Sequence, residues 1–198
     1  MSERTKTMNG TLIRCFIAIK LPSDIRNQIG SYIRELTSLT SKVKWVRSDN
    51  LHLTIKFLGE IEPNLVEKIN EKLDSINQAG RPFDLRVAES GCFPGRNRPK
   101  VFWLGLDQNE GEELIRIQKW LEERLNEIGI ERERRKFSPH LTIGRVKGAD
   151  NFSDLYSYLD RNPFQSKVFK VEQVCLIRSF LKPTGAEYKD LGTYQLLR

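Results

Sequence analysis

No stretch of this 198-residue sequence approaches the roughly 18 consecutive apolar residues that a membrane-spanning helix needs. The first residues, Met1-Ser-Glu-Arg-Thr-Lys-Thr, lack the apolar run of a secretory leader, and residues 1–10 are expected to form a disordered tail. Cysteine is scarce and odd in number. Cys15, Cys92 and Cys175 stand far apart, with no CxxC pair and no Cys/His cluster. That spacing argues against a disulfide framework and against a zinc module, and leaves three buried, reduced thiols in a cytoplasmic protein as the expectation. Histidine is scarcer still, with two residues in the chain. No Gly/Ser/Pro-rich linker divides the sequence, so residues 11–198 are expected to be one bilobal domain of two intertwined lobes.

What is present is an ordinary globular composition, 38% hydrophobic and 30% charged. The net charge of +7 favours a polyanionic partner such as nucleic acid, because neutralised phosphates release counterions. Strand-like and helix-like patterns alternate. Arg14 to Ile19 is a β-branched and aromatic run, followed by Pro22 and a helix with Ile25, Ile29, Ile33 and Leu36 on one face. Val43 to Val46 and Leu51 to Leu58 read as strands joined by a polar turn through Ser48, Asp49 and Asn50. A second helix is expected from Pro63, with Leu65, Ile69, Leu73 and Ile76 inward and Gly80 at its end, and Phe83 to Phe93 as a strand. The order then repeats. Val101 to Leu106 is a strand, Leu114 to Ile128 a helix closed by Gly129, and His140 to Val146 a strand. A short helix at Ser153 to Leu159 and strands at Val168 to Ile177 and Tyr188 to Leu196 complete the chain. This recurrence predicts a duplicated α+β fold, two lobes with a cleft between them.

Both histidines lie in the same tetrapeptide, His52-Leu53-Thr54-Ile55 and His140-Leu141-Thr142-Ile143, almost half the chain apart. On a strand, side chains alternate between faces, so each copy offers one imidazole and one hydroxyl on one face and an apolar anchor on the other. If the two halves are related by a pseudo-twofold, two imidazoles and two hydroxyls converge on one small anion. Such a set suits a phosphodiester: one neutral histidine takes a proton from attacking water, and one protonated histidine gives a proton to the departing oxygen. Thr54 and Thr142 can donate to the non-bridging oxygens, and Arg145 can place two donors on the phosphate. Phe57 and Arg145 each follow their histidine by five positions, which on a regular strand is the opposite face. A ligand contact from either position would need the strand to bulge after the threonine, or an approach from a strand end.

With these residues the chain resembles the RNA 2′,3′-cyclic phosphodiesterases of the two-histidine phosphoesterase superfamily, a LigT-like family also known as 2′-5′ RNA ligases. The resemblance is carried by Phe16-Ile-Ala-Ile with Leu21-Pro22, by Trp45-Val46 through Asn50-Leu-His-Leu-Thr-Ile-Lys-Phe-Leu-Gly-Glu60, by Phe93-Pro94, by Val101-Phe-Trp-Leu-Gly105, by Phe137-Ser-Pro-His-Leu-Thr-Ile-Gly-Arg145 and by Gly185-Ala-Glu-Tyr188. It implies a pseudo-symmetric fold of two antiparallel-type sheets flanked by helices around a central cleft. It implies His52 as the general acid on the O3′ leaving group and His140 as the base that activates water. Thr54, Thr142 and Arg145 would then bind phosphate, Phe57 would stack on the terminal base, and the product would be a 2′-phosphate end. Gly144 departs from the family pattern, in which Ala is common before the arginine.

The expected partner is RNA with a 2′,3′-cyclic phosphate end, tRNA halves included, bound by a monomer without metal, cofactor or membrane. Arg132, Arg134, Arg135 and Lys136 before the second motif, and Arg96, Arg98 and Lys100 in a Pro/Gly loop, could track an RNA backbone or simply be solvated. Trp45, Trp103 and Trp120 are assigned to packing. Three other activities remain open on sequence: reversible 2′-5′ ligation by the same residues, a non-catalytic RNA- or nucleotide-binding module, and an esterase of small nucleotides.

Overall fold

The computed structural model describes residues 11–107, 111–183 and 185–197, so the expected tail at 1–10 lies outside the described residues. Ten strands and four helices follow in the order β1 (Ile13–Lys20), α1 (Ser23–Thr37), β2 (Val43–Trp45), β3 (His52–Ile61), α2 (Leu65–Leu73), β4 (Phe83–Leu85), β5 (Val87–Phe93), β6 (Val101–Leu106), α3 (Glu112–Asn126), β7 (Leu141–Val146), α4 (Ser153–Arg161), β8 (Phe169–Val171), β9 (Gln173–Lys182) and β10 (Gly185–Gln195). Two antiparallel four-stranded sheets carry the molecule, in the orders β10-β9-β1-β3 and β2-β7-β6-β5, with a small β4-β8 pair beside them. The sheets do not divide the chain at its middle. β2, from the first half, edges the second sheet beside β7, while β9 and β10, from the second half, complete the first.

The helices bury the stripes that their spacing dictates. Ile25, Ile29, Ile33 and Leu36 of α1 and Leu114, Ile117, Leu121 and Leu125 of α3 are buried in one continuous core. Gly129, at φ 89°, turns the chain out of α3. Between β2 and β3 the polar turn is a single 3₁₀ turn, Ser48–Asn50. Among the described residues no helix is long and apolar enough to cross a membrane.

Three elements differ from expectation. The expected strand Phe83 to Phe93 is two strands in two sheets, broken at Arg86, and Val168 to Ile177 is likewise broken at Glu172. At Arg86 the one-residue corner leaves the inward period intact, Leu85 and Val87 both being buried, so alternation cannot reveal it. At Glu172 the period slips, with Glu172 and Gln173 exposed between buried Val171 and Val174. The second helix stops at Leu73, and Ile76 enters the core from a separate turn, Ile76–Gln78. There the Ser75 hydroxyl donates to the Lys72 carbonyl at 3.0 Å, a local bond that competes with helix continuation. Cys15 and Cys175 are buried free thiols, whereas Cys92 is half-buried, packed near the Tyr156 hydroxyl.

Candidate active site

Each His-Leu-Thr-Ile segment falls on a strand that bulges once within it, His140 standing one residue ahead of β7, whose expected start it was. Along β1 and β3 the paired residues run Lys20 with His52, Ala18 with Thr54, then Ile17 with Lys56 and Phe16 with Phe57, so Ile55 is left over. Ile55 and Lys56 consequently both turn to the core, and Phe57 returns to the face of His52 and Thr54. In β7 the same thing happens one residue past the threonine. Trp103 pairs with Thr142, Phe102 with Gly144 and Val101 with Arg145, leaving Ile143 over, and Ile143 and Gly144 are both buried. Arg145 thereby shares a face with Thr142. Of the two routes open on sequence, the structure takes the bulge in both strands.

The bulge in β3 buries a lysine, and that charge is fully engaged. Lys56 Nζ lies 2.7 Å from Glu122 Oε2 of α3 and donates to the Glu131 carbonyl at 3.0 Å. Glu122 also accepts from the Gln118 amide and the Glu133 backbone N–H, each at 3.0 Å. The back of the first motif is thus tied to the segment that leads into the second.

The two imidazoles are held alike. His52 Nδ1 lies 2.7 Å from the Asn50 carbonyl oxygen, and His140 Nδ1 lies 2.8 Å from the Ser138 carbonyl oxygen. A carbonyl only accepts, so each Nδ1 carries the proton, and each Nε2 remains for chemistry. Asn50 also donates its side-chain amide to the Ala186 carbonyl at 2.8 Å, which clips the turn onto β10. Aromatic rings fix the imidazole planes. Phe16 stacks on His52 at 4.7 Å and 29°, Tyr188 meets its edge at 5.1 Å and 85°, and Phe93 meets His140 edge-on at 5.0 Å and 81°.

His52, His140, Thr54, Thr142, Arg145 and Phe57 line one cleft of about 170 Å³. Arg14, Asn50 and Tyr188 are among its other walls, and no aspartate or glutamate is. Burial pushes the His52 pKa below its ordinary 6.5, the Arg145 guanidinium acts in the same direction, and the bond to the Asn50 carbonyl opposes both. The field of Arg145 therefore falls on the histidine of the opposite strand. Burial raises the Tyr188 phenol, against the pull of Arg145 and Arg14.

Phe57 stands 62% exposed at the cleft mouth, which is the position of a contact surface and not of a core aromatic. Of the basic residues singled out by sequence, Arg96 is occupied by a two-pronged pair with Asp160 at 2.8 and 2.5 Å and lies over the Tyr156 ring. Arg98, Lys100, Arg132, Arg134, Arg135 and Lys136 are exposed. Trp45 and Trp120 pack against the core, and Trp103 lies 5.2 Å from Phe93. On sequence, Phe16, Tyr188, Phe93 and Arg14 had no place in the site, although the first three lie in segments that carry the resemblance. The alternation Arg14, Phe16, Ala18 already places the first two on one strand face, but nothing local tells which face meets the histidines. The carbonyls of Asn50 and Ser138 carry no side-chain signal at all.

Comparison with known proteins gives a consistent picture. The family described as "LigT like Phosphoesterase" matches residues 19–103 and again 104–188. A Methanocaldococcus jannaschii protein named RNA 2′,3′-cyclic phosphodiesterase is 34% identical over 89% of this chain and 97% of its own length. A crystal structure of a Thermus thermophilus protein superposes with a TM-score of 0.81 at 26% identity, covering 93% of this chain and 98% of that one. E. coli LigT complexed with 3′-AMP has a TM-score of 0.77 at 25% identity, covering 94% of this chain and 99% of that one.

Proposed function

The chain belongs to the LigT-like phosphoesterase family, and from that premise we propose that it hydrolyses RNA 2′,3′-cyclic phosphate ends to 2′-phosphate ends by two-histidine acid–base catalysis. The observation that carries this reading is the pair of imidazoles, each protonated at Nδ1 by its hydrogen bond, lining one carboxylate-free cleft with two threonines and an arginine. Neutral His140 accepts a proton at Nε2 as water attacks phosphorus. The P–O3′ bond breaks, and protonated His52 gives its Nε2 proton to O3′. Thr54 and Thr142 donate to the non-bridging oxygens, Arg145 offsets the charge that grows on them, and Phe57 stacks on the terminal base.

The residues of the cleft supply this chemistry without a metal ion. Its walls offer two imidazoles and no carboxylate, and among the described residues no three His, Cys, Asp or Glu side chains cluster in the manner of a metal site. The test is an RNA oligonucleotide ending in a 2′,3′-cyclic phosphate, incubated with the protein in EDTA. The expected product is a 2′-phosphate end, formed at an undiminished rate. A 3′-phosphate product would reverse the leaving group, a joined 2′-5′ product would make ligation the activity, and loss of the rate in EDTA would overturn the metal-free mechanism.

A further inference from the structure

The cleft contains one cation more than a single phosphate requires. The scissile phosphate is met by two imidazoles, two threonines and Arg145, while Arg14 lines the same cleft and is assigned nothing. Among the described residues neither arginine has an ion-pair or hydrogen-bond partner. Glu60 stands opposite Arg14 in register, yet the two form no ion pair. An unpaired guanidinium in a carboxylate-free cleft is poised for an anion supplied by the ligand.

Position says which anion. On the cleft face of the first sheet, Ala18 lies opposite Thr54, Phe16 opposite Phe57 and Arg14 opposite Glu60. Arg14 is two residues beyond Phe16, a step of about 7 Å along the strand, on the side away from the histidines. A terminal ribose with its cyclic phosphate between the histidines and its base on Phe57 would bring the phosphate on its 5′ side to Arg14 if the chain ran along this strip. Ser179 pairs with Arg14 on one side, and Tyr188 pairs with Ser179. Arg14, Arg145 and Tyr188 line the same cleft, and both guanidiniums act on the Tyr188 phenol. We propose that Arg14 is a second phosphate site, which takes the phosphate on the 5′ side of the terminal nucleotide. The cleft then reads the last two phosphates of an RNA chain and selects against an isolated cyclic nucleotide.

This assignment rests on the proposed function, and two arms keep the two separable. In the first, kcat/KM is measured on a nucleoside 2′,3′-cyclic phosphate with a 5′-hydroxyl, on the same compound with a 5′-phosphate, and on a dinucleotide ending in the cyclic phosphate. The wild-type protein prefers the two substrates with a second phosphate by roughly tenfold or more. Arg14→Gln loses most of that preference, and Arg14→Lys keeps part of it. The second arm needs no turnover: binding of a nucleoside 2′-phosphate is compared with that of the 2′,5′-bisphosphate by calorimetry, in wild type and Arg14→Gln. The bisphosphate binds more tightly to the wild type alone. A wild type indifferent to the 5′-phosphate overturns the proposal, as does an Arg14→Gln variant that weakens on all ligands equally. Failure to open any cyclic phosphate, with the bisphosphate preference intact, refutes the function and leaves the second site standing.

Discussion

A histidine whose Nδ1–H is committed to a backbone carbonyl has its tautomer chosen before any substrate arrives, and here both histidines are committed in the same way. What separates them is the neighbour. His52 sits between Phe16 and Tyr188 within the field of Arg145, and burial first, then that guanidinium, disfavours its charged form. If His52 is the acid, the productive form is the protonated one, and it is lost as pH rises through the depressed pKa. The basic limb of kcat/KM, which reports the free enzyme, is therefore expected below 6.5. A bound phosphodiester brings an opposite charge, so the basic limb of kcat lies at higher pH than that of kcat/KM. Arg145→Gln removes one of the two depressing influences. It should lower kcat/KM by roughly 10²-fold or more, as loss of a transition-state donor does, and move the basic limb toward higher pH. A limb that stays in place or moves down would separate Arg145 from His52.

At the scale of the strand, two single-residue bulges decide which side chains enter the cleft. In β7 the bulge places Gly144 in contact with β2, where a Cβ would stand 2.6 Å from Val43 Cγ1 and 2.8 Å from Trp45 Cε3. The room that an alanine needs at this position is filled in this chain by Trp45. Gly144→Ala is therefore expected to destabilise the protein by about 1–3 kcal/mol through overpacking, read as a lower urea midpoint with a changed Trp45 fluorescence. An unchanged midpoint would mean that β2 yields freely. In β3 the bulge buries Lys56, whose side chain is 2% exposed, against Glu122. Lys56→Met leaves that carboxylate without its cation and should cost about 3–5 kcal/mol in urea unfolding, most of it recovered in Lys56→Met/Glu122→Leu. A single-variant cost under about 1 kcal/mol would show the pair to be incidental.

These elements also mark how far the sequence could be read. The helical stripes of α1 and α3, the strands β6 and β7 and the paired motifs were legible because period and residue type agree at each position. The bulges were visible only as a conflict, two residues of known chemistry five positions after a histidine and so on the wrong face. The break at Arg86 left no trace, since a chain that changes sheets without changing its inward period looks like one strand. The break at Glu172, in contrast, shows as two adjacent exposed polar residues, Glu172 and Gln173, between buried Val171 and Val174. Arg14 and Tyr188 could not be assigned from local pattern, because β1 and β10 meet the histidines only through sheet pairing across the length of the chain.

For the whole molecule, the proposed mechanism divides one reaction between two sheets. One carries His52 and Thr54, the other His140, Thr142 and Arg145, and each sheet is completed by strands from the other half of the chain. We propose that residues 11–198 act as one bilobal unit for this reason, since neither half of the chain contains a complete sheet or a complete site. The proposed division makes the two histidines unequal in a way that a leaving group can expose. A sulfur in place of O3′ departs without a proton, so it needs the base and not the acid. The most direct measurement is the rate at which His52→Ala and His140→Ala open a 2′,3′-cyclic end with a bridging 3′-sulfur, each relative to wild type. On the natural end both variants should fall by about 10²–10⁴-fold. On the sulfur end, His52→Ala should recover to near the wild-type rate while His140→Ala stays impaired. Recovery of His140→Ala instead would exchange the two roles, and recovery of neither would contradict proton donation to O3′ by either histidine.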